Sequence, residues 1–202
     1  MEQSVINWLE YGKKTIRGKD IRFSCVYYGV LSFFYNLFRF SRITLTIADV
    51  AVIALILVLG LKANKKKGCM DVHLYTGVTN IFIAIRYYMF SWLLAVYSGL
   101  DAGFAFFVYS VLFVAVSIWY GFLVKKLISR NTYSSEYKRP PSWPSLCGAV
   151  FATILSPIVF SNLEQNAAQI IVAVGMLLLG VGTQCAIIAL FKFAVLFRMP
   201  KS

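Results

Sequence analysis

The stretch Ile47 to Leu61, IADVAVIALILVLGL, carries one charge and shows neither the two-residue alternation of a half-buried strand nor an apolar stripe confined to one helical face. A helix that is apolar all round has no side for water, so it belongs in a large protein core or in lipid. Lipid narrows the choice to helices and closed barrels, because each backbone N–H and C=O must find its partner within the protein. Extended back to Ile43, the run is long enough as a helix, at ~1.5 Å per residue, to cross a hydrocarbon layer of ~30 Å.

The rest of the chain repeats this pattern. Hydrophobic residues make up 59% of it and charged residues 14%, where a soluble domain carries about 25% charged residues. Comparable segments lie at 22–38, 43–61, 77–97, 103–124, 145–161 and 168–191. The expected fold is therefore all-α: a polytopic transmembrane bundle of six spans in three hairpins, one membrane domain over residues 21–198. The first segment is the least apolar of the six, and no small-residue cleavage site accompanies it, so it is expected to remain as a signal anchor. Residues 1–20 place Val5, Leu9, Gly12 and Ile16 at helical spacing with Lys13, Lys14 and Arg17 on other faces. That suits an amphipathic cytoplasmic segment on the membrane surface, with an irregular tail as the alternative. The polar stretch 125–144 ends in a Pro-rich run and marks the boundary between sub-bundles.

Basic residues orient the bundle. Of the 20 Lys and Arg, five precede or open the first segment, four lie in 62–76, five in 125–144 and three at the C-terminal end. Only Arg39 and Arg42 fall on the opposite side, and the 98–102 and 162–167 loops contain no Lys or Arg. The positive-inside rule then puts both ends of the chain and the basic loops in the cytoplasm. A net charge of +12 raises the question of nucleic acid. Clusters such as Lys65, Lys66 and Lys67 flank apolar runs, however, which fits anionic lipid headgroups and no nucleic acid. Cys69, just beyond that cluster, is a palmitoylation candidate beside the plainer reading of a free thiol. Spans of 17 to 19 residues suit a thin bilayer and tilt the expected location toward endomembranes of the ER kind.

Two charges lie well inside the proposed spans. Arg86, in IAIRYYMFSWLL, sits where a lone cation costs several kcal/mol, and Asp49 is the partner within reach. The pair reads either as a structural clamp between helices or as a charged site for a permeating anion or a gate. Pro157 after Ser156 allows a helix kink that serves transport and plain packing equally. Gly175, Gly180 and Gly182 in the last span allow close helix approach. Gly180 and Gly182 do not form a nucleotide loop, since no strand precedes them.

Catalytic signatures are missing from the inventory. His73 is the single histidine, no GxSxG occurs, and the acidic residues are scattered, so neither a metal site nor a cofactor is expected and the chain does not read as an enzyme. The leading expectation is a non-catalytic accessory, assembly or trafficking component of a membrane complex, partnered by another membrane protein or by its own copies. The alternative is a small-solute or ion transporter or channel subunit using Arg86 and Asp49.

Overall fold

A computed structural model describes residues 3–10, 15–40, 45–66, 69–130 and 165–198, and all regular structure among them is helical. In chain order the helices are α1 (Gln3–Glu10), α2 (Gly18–Phe40), α3 (Ile47–Lys66), α4 (Cys69–Tyr97), α5 (Ala102–Ser129), α6 (Gln165–Gln184) and α7 (Ile187–Arg198). Four stretches are long and apolar enough to cross a bilayer: Ile47–Lys65, Met70–Tyr97, Ala102–Lys126, and Gln169–Phe197, which runs through α6 and α7. These helices point to a membrane protein.

The expectation of six such spans is thus met by four. The segment at 145–161, with Pro157, lies outside the described residues. The first segment is a helix of 23 residues, long enough to span, but it falls short in apolarity. Its sequence explains why. Ser24, Tyr28, Ser32 and Asn36 recur every fourth residue and form one polar stripe, and Tyr28, Ser32 and Asn36 are buried against the other helices.

Helix α4 is the hub and packs against α2, α3, α5, α6 and α7. Within its apolar window 61% is buried, against 11% for α5. Helix α5 therefore presents most of its circumference outward, with Phe104, Phe107 and Phe122 all more than 60% exposed, as a lipid-facing helix does. Close approach to α4 is made by small residues. A side chain at Gly180 would meet the Tyr88 ring at 2.9 Å, and one at Gly77 would overlap Leu190. Gly175 and Gly182, expected to share this role, face open space; they lie on other sides of α6 from Gly180.

Several boundaries differ from expectation, among them the end of α5 at Ser129 rather than Val124. The polar stretch 62–76 is helical at both ends, since α3 continues to Lys66 and α4 begins at Cys69 rather than Gly77. Hydropathy marks where lipid ends, not where a helix ends, and 62–76 contains no proline. Asp71, in the first turn of α4, suits the positive end of the helix dipole and pairs with Lys62 at 3.2 Å. The last span is broken at Cys185 and Ala186, whose amides bond to Gly182 and Thr183 three residues back. Thr183 Oγ1 donates to the Leu179 carbonyl at 2.6 Å, a back-bond that competes with a regular ladder.

The 98–101 turn is tight, as its Ser, Gly and Asp lead one to expect. Gly99 takes a positive φ of 99°, which glycine adopts without a Cβ clash. Asp101 then caps α5 by accepting from the Phe104 amide at 2.8 Å.

The N-terminal helix departs from the expected surface helix. Trp8 and Leu9 are buried in a cluster with Val124, packed by Ile128, Ile188, Val195 and Leu196 from α5 and α7. The Trp8 ring lies 5.6 Å from the buried Lys192 ammonium, and His73, buried at the start of α4 rather than exposed in a loop, bonds to the Leu9 backbone. Its apolar face is thus spent on the end of the bundle.

Candidate functional site

Among the described residues, the only acid and base that meet away from the helix ends at the α1 side are Asp49 and Arg86, and the site grows from the start of α3. Thr46 precedes the helix and Asp49 is its third residue, the spacing of a reciprocal cap. Asp49 N donates to Thr46 Oγ1 at 3.2 Å, while Asp49 Oδ2 accepts from Thr46 N at 2.9 Å and Thr46 Oγ1 at 2.7 Å. Asn36 Nδ2, from the polar stripe of α2, donates to the same oxygen at 2.9 Å. The other oxygen, Oδ1, takes Nη2 of Arg86 in an ion pair.

Arg86 reaches this point from the middle of α4, eleven residues before Tyr97, or ~16 Å below the end of that helix. Its stem crosses the gap, and its guanidinium stands over the rings of Tyr35 at 5.0 Å and Tyr28 at 5.8 Å. Nε donates to Tyr28 Oη at 3.2 Å. The three helices thus hold one cation, paired with one anion, against two aromatic rings, where cation–π attraction strengthens as water is removed.

Burial is deep on both sides: Asp49 is 0% and Arg86 8% exposed. A carboxylate offers about four acceptor positions, and Asp49 receives four donors, three on one oxygen and Arg86 on the other. Three donors thus crowd Oδ2, while Oδ1 takes Arg86 alone and keeps one lone-pair position beside it. No three His, Cys, Asp or Glu side chains gather to hold a metal ion among the described residues. Neither Arg86 nor Asp49 lines the groove of about 530 Å³ between α4 and α5.

Sequence reasoning reached Arg86 and Asp49 but missed Tyr28, Tyr35, Asn36 and Thr46. Two signals were present. Thr46-x-x-Asp49 before an apolar run is a cap signature, and Tyr28, Ser32, Tyr35 and Asn36 fall at i, i+4, i+7 and i+8, one face of a helix. Lys65 is exposed at the end of α3 near the α1 side of the bundle, Cys69 is the first residue of α4, and Lys67 and Pro157 lie outside the described residues.

A second polar seam joins α4, α5 and α6. Gln184, fully buried, accepts from Tyr88 Oη at 2.8 Å and donates to the Phe113 carbonyl and Ser117 Oγ, both at 2.6 Å. Ser91 Oγ donates to the Ala173 carbonyl at 2.6 Å and meets Tyr109 Oη at 2.9 Å. Each bond ties one helix to another where no water competes.

Comparison with protein-family models, with curated proteins and with solved structures finds no match to this chain.

Proposed function

We propose that this chain is a non-catalytic, multi-pass membrane protein that works by packing: an accessory, assembly or trafficking component of a membrane complex. The observation that carries the reading is the burial of the pair, with Asp49 0% and Arg86 8% exposed. An ion pair built to move solute or protons opens to a cavity, whereas Asp49 accepts four donors from its own chain and neither it nor Arg86 lines the groove between α4 and α5. The arrangement suits a clamp that holds α2, α3 and α4 in one register. Buried polar groups of this kind specify how helices pair more than they add stability.

In this reading the bundle has six spans with both ends in the cytoplasm, α2 and the segment at 145–161 completing the set. The basic residues at the α1 end then face anionic headgroups. Its partner is another membrane protein or a second copy, and its outward apolar helices supply the surface.

The test removes the charges and keeps the cap. Arg86→Met with Asp49→Asn leaves an amide that still accepts from Thr46 and Asn36. Under the packing reading this double variant folds, keeps its copurifying partners and complements a deletion strain. A folded, partner-bound and inactive double variant refutes it, in favour of a transporter or channel subunit that needs the charge.

A further inference from the structure

We infer that α2 is a conditional span: it crosses the bilayer only while hydrogen-bonded to one face of α4, and Tyr75, Arg86 and Tyr97 are the residues that hold it there. The inference rests on the reading of these helices as membrane spans. At 23 residues α2 is long enough to cross. Among the described residues, α3, α4, α5 and the α6–α7 run reach the apolarity of a span, and α2 does not. Its middle, Phe23 to Phe38, holds two serines, three tyrosines and an asparagine.

The two faces of α2 differ. Phe23, Val26, Val30 and Phe34 are exposed, the side that lipid would cover, and Tyr28, Ser32, Tyr35 and Asn36 are buried on the other. A lone helix divided in this way lies in the membrane surface with its polar side to water. Crossing would set that side against hydrocarbon, where unpaired polar groups are costly. Helix α2 therefore needs partners in order to cross.

Helix α4 supplies them at a fixed repeat. Tyr75, Arg86 and Tyr97 are eleven residues apart, about three helical turns, so they share one face. Tyr75 Oη donates to Ser24 Oγ at 2.9 Å, Arg86 Nε to Tyr28 Oη at 3.2 Å, and Tyr97 Oη to the Phe38 carbonyl at 2.6 Å. The three donors thus reach α2 near its start, its middle and its end. Helix α4 is apolar enough to cross without α2, whereas the reverse does not hold. Since α2 precedes α4 in the chain, its place in the bilayer is settled only once α4 has entered.

The test reads the two ends of α2 in the full chain. Lys19→Cys and Leu45→Cys, both at exposed positions on either side of the span, are made singly in a chain whose own cysteines are changed to Ser. Each is labelled with an impermeant maleimide in intact cells, after opening the surface membrane, and after opening all membranes. In the parent the two positions are expected to label from opposite sides. Y75F/Y97F combined with R86M/D49N strips the donors and leaves α3 and α4 no less apolar, and it is expected to bring the two positions to one side in most of the protein. Adding S24A/Y28F/S32A, which makes α2 itself more apolar, should return them to opposite sides. Opposite sides in the donor-stripped chain would show that α2 crosses unaided, and the inference fails. One side in both variants would trace to a lost fold rather than to the polarity of α2, and it fails again. Positions 101 and 130, labelled in the same way, report the membrane reading separately. If they lie apart while 19 and 45 share a side in the parent, the bundle still crosses and α2 is not a span; if 101 and 130 share a side, the reading and the inference fall together.

Discussion

Asp49 does two jobs with one side chain, and the substitutions that separate them have different costs. Asp49→Asn keeps an acceptor for the cap but removes the charge opposite Arg86, leaving a cation buried without its anion. Breaking one side of a buried pair costs roughly 3–5 kcal/mol. We expect Asp49→Asn to lower the thermal midpoint in detergent, and adding Arg86→Met to recover part of the loss; additive losses would show that the two side chains are not coupled. The glycines make a second contrast on one helix. Gly180 lies against Tyr88 and Gly175 faces open space, so Gly180→Val should force α6 off α4 while Gly175→Ala is neutral or gains up to about 1 kcal/mol from helix propensity. Equal effects in a thermal-shift assay would contradict the packing described for Gly180. Three glycines within a few residues look alike in a sequence, and only the direction each one faces separates them.

Helix α2 shows how much of an element a hydropathy profile can hide. Its polar residues are scattered along the sequence but come together every fourth position, and once the helix forms they face α3 and α4. An average over a window adds both faces and returns a middling value. The hydrogen-bond inventory of this stripe is uneven. Tyr28 Oη accepts from Arg86 Nε and Ser24 Oγ accepts from Tyr75 Oη at 2.9 Å, whereas Ser32 Oγ is fully buried with no partner. An unsatisfied buried hydroxyl costs about 1–3 kcal/mol, so the two neighbours respond in opposite directions. Ser32→Ala should raise the thermal midpoint or leave it unchanged, and Tyr28→Phe should lower it by removing an acceptor from a buried cation. A loss on Ser32→Ala would mean that an ordered water or a solute satisfies this hydroxyl. Helix α3, by contrast, was legible through its apolar middle, where no polar stripe interrupts it, but it begins at Ile47 rather than Ile43 and runs on to Lys66 rather than Leu61. The early start of α4 was not, since Asp71 and His73 read as loop residues until α1, α3 and α7 are there to cover them.

On the scale of the whole molecule, the packing of α1 adds an argument to the count of charges. Trp8 and Leu9 share a cluster with Val124 and partly buried residues of α7, and His73 at the start of α4 bonds to Leu9. The N-terminal segment, the end of α5, the start of α4 and α7 therefore sit at one end of the bundle, so they must lie on one side of any membrane the helices cross. Lys62, Lys65, Lys125, Lys126 and Arg130 belong to the same end, and the 98–101 turn belongs to the other. Anionic cytoplasmic headgroups attract each such residue by about 1 kcal/mol, and a potential of 100 mV adds ~2.3 kcal/mol per charge moved across. The proposed orientation, with the α1 end in the cytoplasm, rests on this shared charge. Single cysteines at Arg130 and Asp101, both exposed, in a chain whose own cysteines are changed to Ser, read the result with an impermeant maleimide. In cells whose surface membrane alone is permeabilised, position 130 should label and position 101 should stay protected, the pattern of an endomembrane location. Labelling at 101 in intact cells, with 130 protected, would keep the orientation and move the protein to the cell surface. Labelling at 130 in intact cells would reverse the orientation, and the charge argument would fail with it.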